Sequence, residues 1–171
     1  VVVMAKLDYK YITRLVTQAQ SGNSDAFAEL YAATYQETYA FAYNYLEDEY
    51  LAQDALQQTY IQSLREIRTL PDPTLFLAQL QQITYKTCFS MRRKQNNISM
   101  DFETTLVSID GNQYTIRRIF NLPFTESQIV LMKYCDHMTN REIAGMMRIS
   151  RSSVRRYLSL GRKRLHQIMN V

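Results

Sequence analysis

The chain has 171 residues, 46% of them hydrophobic and 21% charged, with 4 Gly, 3 Pro and a formal net charge of +4. So few breakers exclude turn-rich sandwiches and barrels, collagen-like repeats and low-complexity disorder, and the length suits one ordinary domain or two small ones. The apolar runs are too short to span a bilayer and Val1 to Lys10 lacks a secretory pattern, so direct membrane insertion is not expected and a cytoplasmic location is. Cys88 and Cys135 make no disulfide framework, and with His137 and His166 they make no spaced metal set, so no metal or cofactor is expected.

The modest net charge conceals a division. Residues 1–90 carry 6 Lys/Arg against 10 Asp/Glu, whereas residues 91–171 carry 14 against 6. An acidic half joined to a basic half suggests two surfaces for two partners, the basic one for nucleic acid.

In chain order, nearly every segment reads as helix, so the expected fold class is all-α. A short helix carries Ile12, Leu15 and Val16. Asn23 or Ser24 caps a longer one with Phe27, Leu30, Tyr31, Thr34, Thr38, Phe41 and Tyr45 at helical spacing. The tyrosines at 31, 35, 39 and 43 are read as packing. Glu49 opens a third helix through Leu56, Tyr60, Leu64 and Ile67, and Pro71 and Pro73 break the chain after it. A fourth helix runs from Phe76 to the basic run Arg92-Arg93-Lys94. Periodicity weakens from Gln95 to Gln113, which reads as a linker between two helical domains spanning 1–94 and 114–171. Ile116, Ile119 and Phe120 begin the second domain, closed by Pro123. Thr125 is the expected cap of the next helix, and Thr139 or Asn140 caps a short one to Met147. Ser150 caps the last, from Arg151 to about Met169.

The sharpest signal is Thr139 to Val154. A short helix, a tight turn and a longer helix make a helix-turn-helix, with Ala144 small at the helix approach and Ile149 filling the turn. Val154, Leu158, Gly161, Leu165 and Met169 form the core stripe of the last helix. The opposite stripe is read as Arg151, Ser152, Arg155, Ser159, Arg162 and His166. From Arg148 to Val171 there are seven Lys/Arg and no acid. A helix fits the major groove with its N-terminal residues at the bases. Arg151, Ser152, Ser153 and Arg155 are therefore placed at base edges. Arg156, Arg162, Lys163 and Arg164 are placed at phosphate or solvent.

On the fourth helix Tyr85, Phe89 and Arg92 lie at i, i+4 and i+7, with Lys86 and Arg93 beside them, a ribbon of rings and cations suited to unpaired bases. Tyr85 is expected at the surface because its hydroxyl seeks a polar partner. Core packing is the competing account, and Phe89 is left open between the two. Asp54, Gln57, Gln58, Ile61 and Arg65 form a mostly polar stripe on the third helix, either a partner surface or a wet face. There is no Gly-rich phosphate loop and no nucleophile motif, so an enzyme is not expected.

These parts resemble a bacterial RNA polymerase sigma factor of the sigma-70 family, of the small two-domain extracytoplasmic-function type. Ala19 to Tyr31 resembles the opening of the family's region 2, and Ala52 to Tyr60 resembles its core-polymerase segment. Leu122-Pro123 through Leu165 resembles region 4 nearly end to end. The chain departs from the family at Gln57-Gln58, where an acid is usual, in having no Trp, and at Arg148, where a turn glycine is common. Tyr60 and Phe76 stand as substitutes for the missing indoles.

The resemblance implies binding to core RNA polymerase through Asp54, Gln57, Gln58 and Ile61. It implies melting of the minus-ten element of promoter DNA by region 2, with Tyr85, Lys86, Phe89, Arg92 and Arg93 on the strand. It also implies reading of the minus-thirty-five element by region 4 through Arg151, Ser152, Ser153, Arg155, Arg156 and Arg162. An anti-sigma factor is a further implied partner, able to hold the protein at the membrane. The alternative is a helix-turn-helix regulator that never binds core polymerase.

Overall fold

The structure, a computed structural model, describes residues 8–169, and side chains of its last helix as far as Gln167. The chain divides into two compact units, with the boundary between Asn97 and Ile98.

The first unit holds α1 (Tyr9–Gln20), α2 (Ser24–Leu46), α3 (Glu49–Glu66) and α4 (Phe76–Gln95). Each of the first three starts on a side-chain cap. Asp8 accepts from the backbone N–H groups of Lys10 and Tyr11, Asn23 from those of Asp25 and Ala26, and Asp48 from that of Leu51. These carboxylates and the amide satisfy donors that a helix start leaves without a partner. Glu47, in the left-handed region at φ 55°, ends α2 and turns the chain into α3. Two 3-10 turns, Ile67–Thr69 and Pro73–Leu75, carry the chain from α3 to α4 around the two prolines.

The spacing of Ile12, Leu15, Val16 and Ala19 gives α1 one apolar face, which packs with Leu30, Leu56, Tyr60, Phe76, Leu77 and Leu80 into one core. Both residues read as stand-ins for tryptophan, Tyr60 and Phe76, are buried here. The Tyr60 hydroxyl lies between the hydroxyls of Thr34 and Thr38, so its burial leaves no polar atom without a partner.

The second unit opens with a β-hairpin, β1 (Leu106–Ile109) and β2 (Asn112–Thr115), paired antiparallel with Leu106 opposite Thr115 and Ile109 opposite Asn112. The two turn residues, Asp110 and Gly111, have φ 53° and 83°, the pair of positive values that a two-residue hairpin turn demands. Helices α5 (Ile116–Phe120), α6 (Phe124–Tyr134), α7 (Asn140–Met147) and α8 (Arg151–Met169) follow. The stretch read as linker therefore contains folded structure. Val107, Ile109 and Tyr114 are buried, the Phe102 ring packs tilted against that of Phe120, and the backbone N–H of Arg117 donates to the carbonyl of Phe102. The fold is all-α apart from this hairpin. Helix α6 starts two residues earlier than a cap at Thr125 implies, with Pro123 at the cap position.

Candidate nucleic-acid interface

Helices α7 and α8 and the turn between them build the outward basic surface. Thr139 accepts from the N–H of Glu142 at 3.1 Å, and the Glu142 carboxylate accepts from the N–H of Thr139 at 3.4 Å. This capping box fixes where α7 begins. Lys133 Nζ donates to Asn140 Oδ1 at 2.9 Å, tying α6 to the same end. Arg148 ends α7 in the left-handed region at φ 55°, the conformation that a glycine adopts at low cost. The turn thus keeps a glycine-like backbone although a long cation occupies it. Ser150 Oγ accepts from the N–H of Ser153 at 3.1 Å, within 3.0 Å of the hydroxyls of Ser152 and Ser153.

The inner face of α8 is Val154, Leu158, Gly161 and Leu165, all buried. Met169, assigned to the same stripe, lies outside the described side chains. Gly161 packs α8 closely against α6, since a Cβ there would come within 2.7 Å of Val130 Cγ2. Arg151, Ser152, Arg155 and Arg156 are exposed along the first two turns, Lys163 is exposed further on, and Ser153 is half-buried under its cap. The exposed N-terminal turns of α8 therefore combine the positive end of the helix dipole with three guanidinium groups.

The later cations of α8 differ from that reading. Arg162 donates to the Tyr134 hydroxyl at 3.2 Å and stands 3.8 Å from the carboxylate of Asp110 in the hairpin turn. The hydroxyl and the carboxylate together hold its pKa above the ordinary arginine value. His166 lies 3.5 Å from the same carboxylate. Arg164 pairs at 3.0 Å with Glu126, whose side chain is almost wholly buried. The first two belong to the flank that meets the hairpin, and Arg164 to the contact with α6. Sequence periodicity grouped Arg162 and His166 with the outward stripe because the hairpin was not foreseen.

The ribbon on α4 needs a larger correction. Tyr85 and Phe89 have no exposed surface, and Arg93 is buried with its guanidinium over the Phe89 ring at 4.2 Å. Tyr85 packs edge-on against Phe41 and Tyr45, with centroid separations of 6.4 and 5.6 Å. The rings fill space between α2 and α4, so neither offers a face to a base, and Arg93 is likewise withdrawn from the surface. The expectation that the Tyr85 hydroxyl would draw the ring outward gave too little weight to aromatic packing. Lys86 and Arg92 are partly exposed, and Arg92 lies over the ring of Tyr45 at 4.8 Å.

On α3, Asp54, Gln57, Gln58 and Ile61 are all exposed, with Leu64 beyond them. Gln58 Nε2 donates to Asp54 Oδ2 at 3.3 Å, which supports one edge of the stripe. Among the described residues no group of acids, histidines and cysteines is gathered for a metal ion, and no helix is long and apolar enough to cross a membrane.

The fold and this surface define a two-unit, largely helical protein with a DNA-binding helix-turn-helix. Residues 114–165 match the family model described as sigma-70, region 4. The chain is 22% identical over 178 residues to the ECF RNA polymerase sigma factor SigW of Bacillus subtilis (strain 168), covering 91% of this chain and 95% of that protein. The solved structure of CnrH in complex with the cytosolic domain of CnrY is also similar, at 18% identity and a TM-score of 0.47, over 94% of this chain and 97% of that one. The chain is therefore similar to sigma factors of the sigma-70 family, through a region 4 match at residues 114–165 and a likeness to an extracytoplasmic-function member over most of its length.

Proposed function

We propose that the protein binds core RNA polymerase and directs it to promoters, with the second unit reading the minus-thirty-five element as duplex and the first engaging both polymerase and the minus-ten element. The observation that carries this reading is the N-terminal part of α8. It combines three exposed arginines, a serine-capped helix start and the absence of any acid from Arg148 onward, within the segment that matches region 4. An exposed helix end of this charge suits the major groove, where an arginine can donate two hydrogen bonds to one guanine.

Arg151, Ser152, Ser153 and Arg155 are assigned to base edges and Arg156 to phosphate. Arg162 is assigned to phosphate only when it exchanges Asp110 and Tyr134 for DNA. The exposed stripe Asp54, Gln57, Gln58 and Ile61 is assigned to core polymerase, its apolar member Ile61 supplying burial and its polar members register. Lys86 and Arg92 are left to meet the minus-ten backbone, since their neighbouring rings are internal. The protein makes and breaks no bonds in this scheme. Strand opening draws on binding energy that offsets lost base stacking. Binding of a cytoplasmic anti-sigma segment is part of the same proposal.

The test is run-off transcription by core polymerase with and without the full chain on a genomic fragment library. Discrete transcripts that depend on the chain and share an upstream sequence are the expected result. DNA binding without chain-dependent transcripts would instead favour a helix-turn-helix regulator.

A further inference from the structure

The hairpin turn sets a carboxylate against the later cations of α8. Asp110 Oδ2 lies 3.8 Å from Arg162 Nε and 3.5 Å from His166 Nε2. The turn itself does not call for an acid, since asparagine before glycine suits a two-residue hairpin turn equally well at the φ of 53° found here. Nor does the ion pair hold the hairpin in place, because Val107, Ile109 and Tyr114 are buried and β1 lies against α6. The backbone therefore delivers Asp110 to α8 already positioned. Glu126, the carboxylate that meets Arg164, is almost wholly buried and belongs to the packing of α6 on α8, whereas the Asp110 side chain is 50% exposed.

Arg162 stands where DNA would compete for it. It follows Arg155 by two turns of α8 and Arg151 by three, about 16 Å beyond Arg151 and within about 20° of it around the axis. The major groove is about 12 Å wide, so a helix that seats Arg151 and Arg155 on base edges carries a cation at that distance to the phosphates of the groove wall. Arg162 Nη1 donates to the Tyr134 hydroxyl at 3.2 Å, which turns the guanidinium toward the hairpin. The Asp110 carboxylate then takes the place that a phosphate oxygen would take. The Arg162 side chain is 37% exposed, so the pair is open enough to water for phosphate to contest it.

We propose that Asp110 is a positioning residue of the DNA-binding surface, an internal stand-in for phosphate that keeps Arg162, with His166 behind it, off the DNA backbone. The inference rests on the reading of α8 as the duplex-binding helix. Sequence-independent affinity comes almost wholly from phosphate contacts, so withholding this cation loosens the hold on random DNA without touching the residues at the bases.

The test is titration of the full chain against a labelled duplex of random sequence at several salt concentrations, read by fluorescence anisotropy. Asp110→Asn, which suits the same turn, is expected to tighten binding by about twofold to fivefold, the range of an exposed ion pair, and to steepen the log–log salt slope by about one. In an Arg162→Gln/His166→Gln background the same change should have little effect, because the side chains it releases are gone. Asp110→Glu, which keeps the charge, should bind close to the parent. Arg162→Gln alone leaves the hairpin unchanged and should weaken binding by no more than about threefold, since the cation it removes is already engaged. A larger loss would put Arg162 on phosphate from the start and overturn the proposal. Equal tightening in both backgrounds would reduce Asp110 to one charge in the general field and overturn it too, as would an unchanged affinity and slope for Asp110→Asn while the parent binds. No duplex binding by the parent would overturn the reading of α8 itself, and the proposal with it.

Discussion

The ring of Tyr85 stands edge-on to that of Tyr45 at 5.6 Å, and neither reaches solvent. Tyr85→Ala removes one of the largest fully buried side chains of the first unit and leaves a cavity between α2 and α4. The expected loss is about 3–5 kcal/mol in urea unfolding of the full chain, similar to other large-to-Ala core changes. A loss below about 1 kcal/mol would place the ring at the surface after all.

Arg155 is exposed one turn after the Ser150 cap. Arg155→Ala should cost about 1–3 kcal/mol on a specific duplex and less on random duplex, measured by titration at fixed salt. Equal losses on both would reassign the residue to phosphate.

Ile61 is an exposed isoleucine beside Gln57 and Gln58. A positive charge there should weaken the complex with core polymerase at least tenfold for Ile61→Arg, while duplex binding by the full chain is unchanged. Co-purification and gel-shift measurements on the same preparation separate the two effects. Undiminished polymerase binding would remove α3 from the interface.

Two glycines in the second unit make opposite predictions. At Gly161 an added Cβ would press on Val130, so Gly161→Ala should destabilise by about 1–2 kcal/mol despite the better helix propensity of alanine. At Gly145, on α7, nothing lies within 4 Å of the added atom, so Gly145→Ala should stabilise by up to about 1 kcal/mol. Thermal unfolding of the two variants beside the parent decides both.

Burial pushes the Cys88 thiol up to about 12. Its folded pKa thus lies above the unfolded value near 9, so the stability it confers is complete below about pH 9 and is lost progressively as pH rises toward 12. At pH 8, Cys88 should resist iodoacetamide until the protein is unfolded, while the partly exposed Cys135 reacts first. Mass spectrometry of the alkylated peptides reads the order.

Long periodic segments were legible from residues alone. The face of α1, a cap at Asn23 or Ser24, the start of α3 at Glu49 and the helix-turn-helix with a cap at Thr139 or Asn140 and another at Ser150 follow from local chemistry, and the structure selects Asn23 and Thr139. The hairpin was harder to read because its strands are four residues each, although Asp110-Gly111 between Val107-Ser108-Ile109 and Tyr114 carries the usual hairpin signal. The side of a helix that faces inward was the other difficulty. On α4, Tyr85 and Phe89 could be ribbon or core by spacing alone, and only the neighbouring rings of α2 decide it. On α2, the four tyrosines read as packing, and Tyr31 does meet the buried Tyr60 edge-on at 4.7 Å while Tyr39 packs against the core, although Tyr31, Tyr35 and Tyr43 keep part of their rings exposed.

Arg148 holds a left-handed backbone with a long, charged side chain, at a cost of about 1–2 kcal/mol that glycine would avoid. At this corner of the helix-turn-helix, folding and anion attraction pull in opposite directions. Replacing the residue by glycine would tighten the domain while removing one of the seven cations that follow α7. A search for stabilised forms of this protein that scored folding alone would therefore select, at position 148, against its affinity for nucleic acid.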